Sequence, residues 1–394
     1  MKSSIDISSD KSLLWLMAIA CGLCAGANYY CQPLINSIQH SFNVPQSQVA
    51  LTVTFAQISY ALGLLFIVPL GDIVNKTKFI PLLMLGAAIG LSICALSVNL
   101  TMLWIGTIIT GLFSVAAQVL IPLVTVAVRP EKIGQVVGFL MSGLLVGILL
   151  STSLSGLFSN LIHWKVIYIF SAILMLIIAS ILMRKLPAVS TTRMNYGSIF
   201  HSMVQLLTQE RRLVYRSIIG GCAFATMSIL FSTIAMLLTA PPFSLADVWV
   251  GVLTLVGVFG ALSTQWIGKW ASHGYNTQLT WVGCAILAVS WLLLYMGGHS
   301  LISYTFGYGL ISLGLAMVHS CNQSVIFQLN PTARSRINAI YMTIYFIGGA
   351  CGSALGVYAW HHGSWFASCV TGIILVSLAG FFTLIDHRYQ LKHA

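Results

Sequence analysis

His319 is the one histidine that falls well inside an apolar stretch of the chain, and imidazole, with an ordinary pKa of about 6.5, changes charge in the physiological range. In a membrane it could carry a proton, or it could stay neutral as a hydrogen-bonding group. Asn322 and Gln323 follow one turn on, at the spacing that places side chains on one helix face. Polar groups recur at helical spacing in two other apolar stretches: Asn28 and Gln32 beside Tyr29 and Tyr30, and Thr110, Ser114 and Gln118. Such amides and hydroxyls either line a cavity or hold helices together. The seven acidic residues, Asp6, Asp10, Asp72, Glu131, Glu210, Asp247 and Asp386, all map to loops or span ends. No carboxylate is therefore expected in mid-membrane as an acid or base, and no buried Lys, Arg, Asp or Glu to pair with a charged ligand. There is no H-E-x-x-H metal motif and no G-x-x-x-x-G-K-[ST] phosphate loop. His361-His362 reads as a solvated pair at a turn, and the nine cysteines as packing residues in apolar helices. The expectation is no enzyme, no catalytic residue, no metal and no cofactor.

The elements that must position these groups follow from composition. Of 394 residues, 58% are hydrophobic and 6% charged, against about 25% charged in an ordinary soluble domain. Apolar runs of the length that crosses about 30 Å of hydrocarbon as helix recur along the whole chain. The predicted spans are 13–35, 49–70, 79–98, 103–128, 133–158 and 166–182, then 218–238, 248–267, 279–296, 301–327, 337–359 and 365–384. The net charge of +11 is a matter of placement. With the N-terminus inside, Lys2, Lys11, Lys76, Lys78, Arg129, Lys132, the cluster from Arg184 to Arg216, Lys269, Arg334, Arg336, Arg388 and Lys392 are all cytoplasmic, as the positive-inside rule requires. Lys165, beside Trp164, is the exception and is expected to snorkel. The charge thus addresses a membrane and not nucleic acid. Residues 1–27 have the look of a secretory signal, but its removal would leave eleven spans and break the symmetry described next, so they are read as a retained first span.

Displacing the chain against itself by about two hundred positions aligns landmarks of two halves. Arg129-Pro130 meets Asn330-Pro331, and His163-Trp164 meets Ser364-Trp365. Gly147, Ser151 and Ser155 fall on Gly348, Gly352 and Gly356, so both the fifth and eleventh spans carry small residues at every fourth position, a face that lets backbones approach. Val68-Pro69-Leu70-Gly71-Asp72 falls on Gly268-Lys269-Trp270-Ala271-Ser272. The predicted organisation is a cytoplasmic tail (1–12), a six-helix bundle (13–184), a cytoplasmic loop (185–213), a second six-helix bundle (214–385) and a cytoplasmic tail (386–394). Two parallel-related bundles can rock about a central site, the physical basis of alternating access.

At these residues the chain resembles the major facilitator superfamily, and within it the bacterial twelve-helix drug-efflux-like transporters. The resemblance spans essentially the whole chain. It is carried by Ala27-Asn28-Tyr29-Tyr30-Cys31-Gln32-Pro33-Leu34, by Tyr60-Ala61-Leu62-Gly63-Leu64, and by Val68-Pro69-Leu70-Gly71-Asp72 with Lys76 and Lys78. The last looks like the family's signature loop, which implies a cytoplasmic latch in which Asp72 faces the start of the eleventh helix; the alternative is that Asp72 caps a helix or offsets nearby lysines. Ile73 and Asn75 depart from the family pattern, where a basic residue and a glycine are usual. The efflux members' arginine in helix four is replaced by Thr107, and the proline of their helix-five motif by Ile148, with Gly143 and Gly147 retained.

The resemblance implies a central cavity lined by helices one, four, seven and ten. That makes Asn28, Tyr30, Gln32, Gln118, His319, Asn322 and Gln323 the candidate lining, with His319 the candidate proton carrier and Phe224, Met227 and Phe231 an apolar face from helix seven. Expected function is a secondary transporter of a small neutral or amphipathic solute in a bacterial inner membrane, acting in efflux as a monomer with proton antiport. The alternatives are an uncoupled facilitator of a small metabolite and a non-transporting sensor or partner of the same fold.

Overall fold

The computed structural model describes residues 7, 10–128, 133–187, 195–270, 275–330 and 333–393, and every regular element among them is helical. The first half contains α1 (Lys11–Gly26), α2 (Cys31–Phe42), α3 (Gln46–Leu62), α4 (Lys76–Ala95), α5 (Leu100–Phe113), α6 (Ala116–Ala127), α7 (Ile133–Leu161) and α8 (Val166–Lys185). After α9 (Tyr196–Gln209) come α10 (Arg211–Leu238), α11 (Asp247–Thr254), α12 (Val258–Trp270), α13 (Asn276–Met296), α14 (Leu301–Leu329) and α15 (Arg334–His393). Among the described residues, nine helices are long and apolar enough to cross a membrane, and ten if α1 and α2, bent by 47°, form one span. The helix α15 is interrupted by non-helical backbone at Gly363 and Ser364, where two helices join at a kink, and α11 passes through a 3₁₀ turn (Leu255–Gly257) into α12. The architecture is consistent with twelve crossings in two six-helix halves.

Polar residues between the apolar runs act as caps. Asp10, Asn75, Asn99 and Ser300 each accept a backbone N–H in the first turn of α1, α4, α5 and α14. Asn75 thus caps α4, with its Oδ1 3.0 Å from the Thr77 nitrogen, a role the sequence left open to Asp72. Pro69, which has no N–H to give, sits where α3 passes through a π-turn (Gly63–Ile67) into a 3₁₀ turn (Val68–Asp72).

The small-residue faces close each half in the same way. A Cβ placed on Gly22 of α1 would lie 2.5 Å from the Gly143 carbonyl oxygen, and one on Gly147 of α7 would lie 2.2 Å from the Gly22 Cα. In the second half a Cβ on Gly348 would lie 2.3 Å from the Gly221 oxygen of α10, and one on Gly352 would lie 2.1 Å from the Ala225 oxygen. Both pairs of helices therefore touch backbone to backbone, which is how helices associate where lipid offers no hydrophobic drive.

Both ends of the described chain and its centre meet at one end of the bundle. Lys185 Nζ donates to Ser12 Oγ at 3.0 Å, Thr77 Oγ1 donates to the Pro187 carbonyl at 2.7 Å, and Arg212 Nε bonds Asp386 at 3.1 Å. Lys165, at the opposite end, lies 5.4 Å from the Trp164 ring centre and donates to the Ser97 carbonyl at 2.6 Å, so its ammonium is tied to backbone. The central loop contains the amphipathic α9, whose Ile199, Met203 and Leu206 are buried. Tyr196 donates to the Phe66 carbonyl at 2.6 Å and Arg336 bonds Ser202, so α9 touches both halves. Lys2, Asp6, Arg129, Pro130, Glu131, Lys132, Arg193, Ala271, Ser272 and Pro331 lie outside the described residues.

Gly352→Val is expected to lower the thermal unfolding midpoint in detergent, by the equivalent of about 1–3 kcal/mol of overpacking or more. Gly197→Ala, whose added Cβ would meet nothing nearer than 3.9 Å, should leave it unchanged.

Candidate functional site

A central cavity of about 260 Å³ lies between the halves. The first half contributes Asn28, Tyr29 and Gln32 from the α1–α2 bend, Tyr60 from α3, Gln118 from α6 and Ile148 and Thr152 from α7. From the second half come Phe224, Met227 and Phe231 of α10, Thr254 and Gly257 at the end of α11, Tyr308, Ser312 and His319 of α14, and Met342, Tyr345 and Phe346 of α15. Two helix interruptions border it: the α1–α2 bend and the 3₁₀ turn Leu255–Gly257 between α11 and α12. Irregular backbone at membrane depth is tolerated where it is enclosed by protein or borders a cavity.

No Lys, Arg, Asp or Glu lines the cavity among the described residues. Its polar groups are amides, hydroxyls and one imidazole. Asn28 Nδ2 lies 3.4 Å from the Cys24 carbonyl and 3.5 Å from that of Ala25, while its Oδ1 has no protein partner. Neither amide atom of Gln32 has one, although the residue is only 1% exposed. Gln118 Nε2 reaches the Tyr60 hydroxyl at 3.5 Å, and His319 Nδ1 and the Tyr341 hydroxyl are hydrogen-bonded at 3.0 Å. Around them the Phe224 and Tyr345 rings stack at 4.2 Å, Tyr29 meets Phe231 edge-on at 5.4 Å, and His319 lies 4.9 Å from Tyr345.

Asn28, Gln32, Gln118 and His319 thus come together, with the apolar face of α10 opposite. Tyr30, Asn322 and Gln323 are not on this wall. The Tyr30 hydroxyl turns into the first half and bonds Ser171, leaving Tyr29 to face the cavity. Asn322 is wholly buried and bonded to Arg216. Thr110 and Ser114 are also off the wall, because the α5–α6 break takes Gln118 out of their stripe; Thr110 instead packs against Gly90 of α4. The Asp72 side chain lies outside the described residues, while the backbone turn Val68–Asp72 abuts α15 and α9. Lys76 and Lys78 sit in the first turn of α4.

Buried charge, of which none was expected to be available to pair with a ligand, occurs in two clusters away from the cavity wall, at helix ends. Arg216 and Asp386 are both 0% exposed and form an ion pair at 2.6 Å. Arg216 also donates to Thr280 Oγ1 at 3.0 Å and to Asn322 Oδ1 at 3.3 Å, and Asn322 Nδ2 returns a bond to the Arg216 carbonyl at 3.1 Å. The predicted spans began at 218 and ended at 384, whereas α10 starts at Arg211 and α15 runs on to His393, carrying both charges inside. Opposite charges just beyond the ends of two apolar runs were the available signal. At the other end of the bundle Asp247, 6% exposed, accepts from Ser37 of α2 and, at 3.1 Å, from Ser159 of α7, joining the two halves. The hydroxyls of Thr152 and Thr254 meet at 2.7 Å on the same interface.

Asp386→Leu alone should cost about 3–5 kcal/mol by stranding Arg216 in an apolar surround, and Arg216→Met with Asp386→Leu should restore most of it. Unfolding midpoints of the two variants in detergent check this.

The comparisons agree with this geometry. The sequence model described as Major Facilitator Superfamily matches residues 17–353. The "Uncharacterized transporter YgaY" of Escherichia coli O157:H7 is 42% identical over 372 residues, covering 94% of each chain. The "Inner membrane transport protein YnfM" of Escherichia coli K12 is 24% identical over 361 residues, covering 89% of this chain and 84% of its own. Among solved structures, a bacterial homologue of the human lysosomal transporter Spinster, inward-facing and occupied, aligns with a TM-score of 0.76 at 14% identity over 97% of this chain and 98% of that one. The nucleoside transporter NupG aligns at 0.75 and 10% identity over 95% and 99%. Helices, symmetric seams, a cavity between halves and a family match over most of the length have one joint consequence: the chain belongs to the Major Facilitator Superfamily and is a membrane-spanning transporter, not an enzyme.

Proposed function

We propose that this transporter moves a small neutral or amphipathic solute outward across a bacterial inner membrane by alternating access, as a monomer with both termini cytoplasmic. The observation that carries the reading is the cavity itself: it lies between the two halves, is walled by aromatic rings and amides, and holds no charged side chain among the described residues. A charged solute would have to leave water for this wall without a counter-ion, which burial penalises heavily. Asn28, Gln32, Gln118 and His319 supply the polar contacts in this scheme. The lysine-rich end of the bundle, with α9, is placed in the cytoplasm.

In this orientation Asp247 with Ser37 and Ser159 is the outer gate, and the turn carrying Asp72, with Lys76 and Lys78, is the inner latch. Opening outward requires the Asp247 bonds to break. Hydrogen bonds to a charged group are worth about 1.5–3 kcal/mol, so Asp247→Ala is expected to shift the inward–outward equilibrium toward the outward state by roughly 10- to 100-fold. The check is faster labelling by a membrane-impermeant maleimide, applied from outside, of a single cysteine placed at Thr254.

Proton antiport is assigned to His319, the one imidazole on the wall among the described residues. In liposomes with a pH gradient and a trapped pH dye, a panel of neutral, cationic and anionic amphiphiles should elicit protein-dependent proton flux, lost in His319→Ala while the protein stays folded. A specific observation favours a second reading, an uncoupled facilitator: Thr107 and Ile148 stand where efflux relatives carry their arginine and proline, and no carboxylate lines the cavity among the described residues. Solute equilibration without proton flux, or flux that survives His319→Ala, would decide against the assignment.

A further inference from the structure

Gln32 is the most buried amide on the cavity wall and has no hydrogen-bond partner at either end within the protein. Its neighbour one turn back, Asn28, has its Nδ2 directed at the Cys24 and Ala25 carbonyls, so Oδ1 is the atom it leaves unpartnered. The pair thus offers one amide NH2 group, with two N–H donors, and two carbonyl acceptors side by side. A buried amide left unpaired destabilises a protein, whereas leucine in its place does not. The cost is offset when a ligand brings the complementary edge. The rest of the wall defines what carries that edge: flat rings, with Phe224 stacked on Tyr345 at 4.2 Å and Tyr29 edge-on to Phe231 at 5.4 Å, favour a planar body. The absence of charged side chains from the wall, among the described residues, favours a neutral one.

We propose that Gln32 and Asn28 form the recognition point for a neutral planar solute that carries an N–H donor next to a C=O acceptor, as in a lactam or an imide. Gln32 pairs both atoms of that edge, Asn28 Oδ1 accepts any further donor, and the aromatic walls hold the ring faces. The proposal rests on the reading of this cavity as the transport site and names its substrate class.

The test uses the purified full-length protein in lipid nanodiscs and three probes of similar size: phthalimide, N-methylphthalimide, in which the donor is blocked, and naphthalene. Calorimetric titration is expected to show phthalimide binding at least tenfold tighter than its N-methyl analogue. Gln32→Leu should bind the two imides alike, while its own unfolding midpoint without probe is no lower than wild type; a residue needed only for folding would lower it. Equal binding of the two imides to the wild-type protein, or a preference that survives in Gln32→Leu, overturns the proposal. Binding of naphthalene alone also overturns it and leaves the cavity as the transport site. If no probe binds but the amphiphile panel is still transported, recognition is of a different chemistry and the proposal falls alone. If nothing binds and nothing is transported, the reading of the cavity falls with it.

Discussion

Inside hydrocarbon a backbone N–H or C=O has no water to bond, so each must be satisfied within its own helix or be shielded by protein. That constraint makes every described element of this chain helical, and it limits where a helix can be interrupted. The α1–α2 bend and the turn between α11 and α12 both fall on the wall of the central cavity, a place where irregular backbone is enclosed by protein. The interruptions in turn shape that wall. The α1–α2 bend turns Tyr29 toward the cavity and Tyr30 toward Ser171, and the α5–α6 break separates Gln118 from Thr110 and Ser114.

The two halves share their packing and differ in their chemistry. Gly22 against Gly147 and Gly221 against Gly348 are the same seam built twice, since both helix pairs must bring backbones into contact. The cavity is asymmetric. The first half provides the amides of Asn28, Gln32 and Gln118, and the second provides His319 and the phenylalanines of α10. A solute between them is held by a polar edge on one side and apolar rings on the other, an arrangement suited to amphipathic molecules.

Charge is kept at the two ends of this architecture. At one end Arg216 and Asp386, with Thr280 and Asn322, tie α10, α13, α14 and α15 together inside the second half. At the other, Asp247 is held by serines of the opposite half. The first cluster joins helices that move as a unit in the proposed rocking motion, and the second spans the interface across which that motion occurs. A carboxylate held by serine hydroxyls can be released at lower cost than a fully buried ion pair, which fits a gate better than a brace.

Composition and apolar run length by themselves determined a helical membrane protein, because about 20 apolar residues in helix match the hydrocarbon thickness whatever the tertiary contacts. The internal repeat, with its small residues at every fourth position, announced the two seams, since that spacing has no better use than close backbone approach. Helical periodicity also selected Asn28, Gln32, Gln118 and His319. It failed for Tyr30, which the α1–α2 bend turns toward Ser171, and for Asn322 and Gln323, which the regular helix α14 carries off the cavity wall, Asn322 onto Arg216. Only the tertiary structure decided that Asn322 serves Arg216 and that Asp386 is buried: apolar content falls at the helix ends while the helix itself continues, and charges there enter the protein only when a partner of opposite sign arrives from a segment 170 positions away in sequence. It likewise decided that Ser37 and Ser159 meet Asp247, a contact between halves that no local pattern encodes.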